Sequence, residues 1–122
     1  MECVEGFCAP EERKRAYQEI REFEHQLALQ GAVLVKFWLH ISKEEQLRRF
    51  QEREKLSYKR HKITEEDWRN RKKWEDYHDV VVEMQNRTST TYAPWTIIEG
   101  NCKWWARVKT IRTVIERIEQ KL

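Results

Sequence analysis

The sequence predicts a layered α/β fold with parallel strands, and three observations carry that prediction. Two short apolar runs, 32–39 and 95–99, are rich in β-branched and aromatic residues. Each is bracketed by stretches of helical periodicity, and strands that alternate with helices pair in parallel. Only two prolines and three glycines punctuate 122 residues, which leaves a helix-rich chain.

The elements follow in order. Ala9-Pro10 with Glu11 and Glu12 opens a helix, since proline and acids suit its first turn. Ala16, Ile20, Phe23 and Leu27 then form one apolar stripe, and Gly31 closes the helix in a left-handed cap. Ala32 to Leu39 reads as a buried strand. Ser42 with Glu45 three residues on is a capping box, so a second helix starts there and turns Leu47 and Phe50 inward. Its periodicity fades from Lys55 to Lys62. Thr64, followed by three acids, restarts a helix with Trp68, Trp74, Tyr77, Val81 and Met84 on its buried side. Ser89 to Pro94 is a turn cluster, and Trp95 to Glu99 is a second strand. Gly100-Asn101 leads into a last helix striped by Trp104, Val108, Ile111, Ile115 and Ile118. Trp104 and Trp105 cannot both lie on that stripe. Two strands make a marginal sheet, so the chain reads as part of a larger doubly wound domain.

Composition narrows the function classes. Apolar residues are 39% and charged residues 37%, with six tryptophans, which is not the composition of a disordered chain. No apolar run reaches a membrane span and no signal segment opens the sequence, so a soluble cytoplasmic protein is expected. Cys3, Cys8 and Cys102 are odd in number and form no CxxC pair, which suits free thiols. Glycines at 6, 31 and 100 alone leave no place for a GxxxxGK[ST] or GxGxxG loop. His25, His40, His61 and His78 show no metal-site spacing, so no metal ligands and no catalytic residues are assigned.

Charge is placed unevenly. The net charge is +3, yet 43–73 carries twelve Lys/Arg against seven Asp/Glu. Arg53 to Lys62 holds five bases and one acid. Such a field attracts polyanions. Taken singly, Arg53, Lys55, Lys59, Arg60 and Lys62 are solvated cations. Gathered on a connection between two helices, they suit a mobile cover that closes over phosphates and neutralises charge in phosphoryl transfer. Arginine offers phosphate a planar fork and lysine a point charge.

Several blocks are more specific. Val4-Glu5-Gly6-Phe7, Val35 to Gln46, Tyr58 to Arg71, Arg87 to Thr90, Ala93-Pro94-Trp95 and Ala106 to Lys109 resemble, in order and spacing, polyphosphate kinase family 2. The resemblance covers almost the whole chain as the C-terminal portion of such a domain, with 53–75 as its basic lid. It departs at His61, where the family usually has tryptophan, and at Cys102, where it usually has an acid.

The resemblance implies a partial P-loop-kinase-like fold, similar to nucleoside monophosphate kinases, with a parallel sheet, flanking helices and a helical lid. It implies a phosphotransferase moving a phosphoryl group between polyphosphate and AMP or ADP with Mg2+. Lys59, Arg60 and Lys62 would meet polyphosphate in the lid, with Arg53, Arg69 and Arg71 on the flanking helices. Asn101 and Lys103 would fall near the nucleotide. The phosphate-binding loop and the magnesium ligands would precede this stretch, so the chain by itself is expected to be inactive and to need a complementary N-terminal segment. Its open sheet edge implies self-association. The competing reading is a non-catalytic module that binds polyphosphate or nucleic acid.

Overall fold

The computed structural model of the chain describes residues 9–56 and 65–122. Its order is α1 (Pro10–Leu29), β1 (Lys36–His40), α2 (Lys43–Lys55), α3 (Glu65–Lys72), α4 (Trp74–Thr88), β2 (Trp95–Glu99) and α5 (Lys103–Lys121). β1 and β2 pair in parallel, in the register Lys36 with Trp95 through His40 with Glu99. The predicted α/β class and parallel pairing are therefore present, and the second strand has its predicted bounds.

The differences have physical causes. β1 starts at Lys36, four residues later than the apolar run, and it is not buried: Leu39 is 66% exposed. A strand reads as continuously apolar when both its faces are covered, and here β1 has one strand neighbour among the described residues. The stripe predicted on α1 is also open, with Phe23 62% exposed, while Tyr17 is the buried residue of that helix. The α5 stripe is exposed along its length, Ile111 at 62%. Periodicity marks which side of a helix is apolar; it does not supply the partner that covers it.

The helix predicted to restart at Thr64 is two helices. Lys73 leaves helical geometry at φ −99° and ψ 26°, and its N–H donates to Asn70 O at 3.1 Å, a tightened turn that separates α3 from α4. Thr64 itself lies outside the described residues. Gly31 takes φ +94°, as a left-handed cap requires. The capping box at Ser42 is half formed. Ser42 Oγ accepts from Glu45 N–H at 3.1 Å, but Ser42 N–H donates to Asn101 Oδ1 at 3.0 Å instead of to glutamate.

The core is small: Tyr17, Phe50, Val81, Ala93 and Ile98 are buried. A polar knot ties its base. Lys36 Nζ donates to Glu24 Oε2 at 3.0 Å and to Thr88 O at 2.6 Å, and lies 5.0 Å from the Trp95 ring centre. Trp95 Nε1 donates to Thr88 Oγ1 at 2.7 Å. One lysine thus joins α1, the end of α4 and both strands.

Candidate functional site at the carboxyl ends of the strands

Parallel α/β sheets place their ligands beyond the carboxyl ends of the strands. Here those ends are His40 and Glu99, and the turns that follow are stitched together. Gly100 N–H donates to His40 O at 2.6 Å. A β-carbon at Gly100 would lie 3.0 Å from Ile41 Cγ2 and 3.3 Å from His40 O, so a side chain there would press on both by a few tenths of an ångström. Asn101 faces Ser42 with its whole amide: Oδ1 accepts from Ser42 N–H, and Nδ2 donates to Ser42 Oγ at 3.3 Å.

Arg49, nearly two turns along α2, completes the stitching. Its Nη2 donates to Gly100 O at 2.6 Å and to Asn101 O at 3.2 Å, while Nε donates to Glu45 Oε1 at 2.9 Å. Arg48 also donates to Glu45, at 2.6 Å. The Arg48 hydrogen bond first, and that of Arg49 after it, hold the Glu45 carboxyl down at about 2, and Glu45 in turn raises the Arg48 guanidinium above its ordinary value. On the other turn, Lys109 and then the Trp105 indole donate to Glu99, and its carboxyl is likewise held at about 2.

From this base α2 runs outward and α3 returns beside it. Phe50 packs edge-on to Trp68 with ring centres 5.1 Å apart. Arg71 Nη1 donates to Lys43 O at 2.7 Å, with Gln46 Oε1 at 3.4 Å, and clamps α3 to the first turn of α2. The two helices are arms of a hairpin rooted at the end of β1. They flank 57–64 in sequence.

The predicted site residues fall into distinct places. Lys59, Arg60 and Lys62, with His61, lie outside the described residues. Arg53 and Arg69 are exposed on the two arms, and Arg71 is engaged in the clamp. Asn101 is engaged with Ser42, and Lys103 is exposed in the first turn of α5. The turn Ser42-Lys43 is where the two groups meet, because Asn101 reaches one residue and Arg71 the other. Sequence reasoning did not single out Arg49, which looks like any helical base. Nor did it single out Lys36, whose only signal was a lysine inside an apolar run.

Magnesium takes carboxylates, substrate oxygens and water in octahedral geometry. Among the described residues no three His, Cys, Asp or Glu side chains gather to hold an ion. Glu45 and Glu99, beside the strand ends, are already neutralised by Arg48, Arg49 and Lys109. These residues do not fit the ion. Cys102, a free and exposed thiol, caps α5 without a side-chain hydrogen bond. Among the described residues no helix is long and apolar enough to cross a membrane.

The family model described as Polyphosphate kinase 2 matches residues 1–122. The chain belongs to the polyphosphate kinase 2 family. It is 60% identical over 120 residues to a polyphosphate:AMP phosphotransferase of Pseudomonas syringae pv. tomato, covering 98% of this chain and 24% of that protein. It is 39% identical over 119 residues to NDP-polyphosphate phosphotransferase 3 of Ruegeria pomeroyi, covering 98% and 40%. Among solved structures it superposes on polyphosphate kinase 2 from Arthrobacter aurescens TC1 with a TM-score of 0.95 at 33% identity, over 98% of this chain and 42% of the other. For a polyphosphate kinase 2 chain from Pseudomonas aeruginosa PA01 the values are 0.94, 57%, 98% and 26%. The polyphosphate kinase 2 resemblance read from the motifs is thus the family found by comparison. The chain spans about a quarter of the length of the Pseudomonas relatives it matches.

Proposed function

We propose that this chain supplies the lid-bearing part of a polyphosphate:nucleotide phosphotransferase, with AMP as the acceptor. The carrying observation is the pairing of α2 and α3, held together by Arg71 on the first turn of α2 and by Phe50 against Trp68, with Lys59, Arg60 and Lys62 falling between the two helices in sequence. Lysines and arginines presented there meet polyphosphate and offset charge in the transferring group. In this reading Lys59, Arg60 and Lys62 contact the polyphosphate and Arg53 and Arg69 extend the cationic track. Arg71 holds the hairpin upright. Asn101 and Lys103 shape the nucleotide side through the turn after β2. Three relatives at 49–60% identity carry the name polyphosphate:AMP phosphotransferase, which supports AMP. No group of carboxylates among the described residues gathers to hold magnesium, so in this reading other parts of the catalytic unit hold it.

The test is binding of long-chain polyphosphate, followed by tryptophan fluorescence. Three phosphate contacts on a flexible polyanion predict a loss of roughly twentyfold in affinity as salt rises from about 50 to about 200 mM, by counterion release. Changing Lys59, Arg60 and Lys62 together to alanine removes most of the binding and flattens the salt dependence. A triple variant that binds like the parent would show that the lid assignment is wrong.

A further inference from the structure

The two parallel strands stop together, yet their register runs on. His40 pairs with Glu99, and Gly100 N–H still reaches back to His40 O. Two residues past His40, the backbone of Ser42 has turned into the cap of α2 and no longer extends the ladder. Asn101 stands 59 residues from Ser42, the same offset as His40 to Glu99, and supplies the next rung with its side chain. Oδ1 accepts from Ser42 N–H at 3.0 Å and Nδ2 donates to Ser42 Oγ at 3.3 Å, an orientation fixed by the N–H, which needs an acceptor. The local partner for that N–H in a capping box is the Glu45 carboxylate, but Arg48 and Arg49 engage it.

The same turn is held again farther along α2, where Arg49, its side chain 18% exposed, donates to Gly100 O and Asn101 O. From α3, Arg71 donates to Lys43 O, one residue past Ser42. Both helices that flank 57–64 in sequence are thus fixed, through Ser42 and Lys43, to the turn that leads into Lys103. Fixing the root of a helix fixes its far end. At about 1.5 Å per residue, the 13 residues of α2 reach roughly 20 Å from Ser42, so a tilt of about 10° there moves the last turn by about 3 Å. Misplacement of about 1 Å is already costly to groups that must meet a reacting phosphate.

We infer that Asn101 is a positioning residue for the lid: by extending the strand register onto Ser42, it sets the direction in which α2 and α3 leave the sheet and joins that direction to the turn bearing Lys103. It acts through Ser42 and touches no substrate. This role rests on the lid reading proposed above and deepens it, because it names what aims the cations and ties the polyphosphate side to the nucleotide side.

The experiment follows amide exchange along this chain, without ligand and with long-chain polyphosphate. Without ligand, Asn101→Ala speeds exchange at Ser42 and through the first turn of α2 at least tenfold, while Tyr77 to Met84 in α4 stay within about twofold of the parent. Asn101→Asp restores the parent rates, because its carboxylate accepts from Ser42 N–H and takes a second hydrogen bond from the Ser42 hydroxyl. With polyphosphate, the parent gains protection at 100–103 as well as along α2 and α3. Asn101→Ala loses the gain at 100–103 and keeps it on the helices, with affinity by tryptophan fluorescence within about threefold of the parent. Direct contact of polyphosphate with Lys103 would survive that change, so retained protection at 100–103 overturns the inference. Unchanged exchange at Ser42 does the same, as does an aspartate variant as fast as the alanine one. Exchange that rises equally in α4 also overturns it, because Asn101 would then be a general prop of the fold. If the Lys59, Arg60, Lys62 triple variant binds polyphosphate like the parent, the lid reading falls, while the ligand-free rates still decide the role of Asn101.

Discussion

Replacing Arg49 by methionine tests whether the turns after the two strands are held by one side chain. Methionine keeps most of the apolar stem and removes only the guanidinium, so the change reads the polar head. That head makes three contacts: to Gly100 O at 2.6 Å, to Asn101 O at 3.2 Å and to Glu45 Oε1 at 2.9 Å. The last is a part-buried ion pair whose loss is softened because Arg48 remains to pair Glu45. The carbonyl contacts are charge-assisted, and together they contribute on the order of 2 kcal/mol. The expected loss is therefore roughly 2–3 kcal/mol, a large share of the ~5–15 kcal/mol that holds a domain together. At this chain length it corresponds to a fall in Tm of roughly 10 °C. Arg49→Lys retains one point charge that reaches Glu45 or Gly100 but not both, so about half the loss returns. Urea unfolding at fixed protein concentration measures both variants, and amide exchange at Gly100 to Lys103 reports whether the turn itself has loosened. A methionine variant within about 0.5 kcal/mol of the parent, or a lysine variant equal to it, would refute the reasoning.

Two further outcomes follow from charges elsewhere in the fold. Lys36→Met strands the Glu24 carboxylate, whose side chain is 14% exposed, and costs roughly 3 kcal/mol in urea unfolding, while adding Glu24→Leu restores most of it. A double variant no better than the single would mean that the Thr88 carbonyl, not the ion pair, was the partner that mattered. The second outcome is acid sensitivity. Glu45 and Glu99 are held at about 2 against an ordinary 4.5, so the unfolded chain takes up protons first as pH falls. Their stabilisation is whole above pH 4.5 and drains away between 4.5 and 2. Thermal melts across that window should fall more steeply for the parent than for Glu45→Gln with Glu99→Gln.

What local chemistry decides was already legible in the sequence. Proline at the start of α1, Gly31 at its end, Ser42 before α2 and Gly100 after β2 act over three or four residues. Their consequences appear where local energetics place them. The alternation of helical and β-branched runs likewise implied parallel pairing, since a strand followed by a helix returns in the same direction. The polyphosphate kinase 2 blocks, spread from Val4 to Lys109, carried the family. Other features belong to the tertiary structure because they depend on residues far apart in sequence. Ser42 N–H pairs with Asn101, 59 residues on, rather than with the Glu45 carboxylate, because two parallel strands end side by side and bring an amide within 3.0 Å. Arg49 and Lys36 become important for the same reason: each reaches backbone carbonyls more than 50 residues away. Burial was the least legible property. The stripes on α1 and α5 are correct as periodicity, but burial is a relation between two surfaces. A single stripe of isoleucines states only what it would gain from a partner.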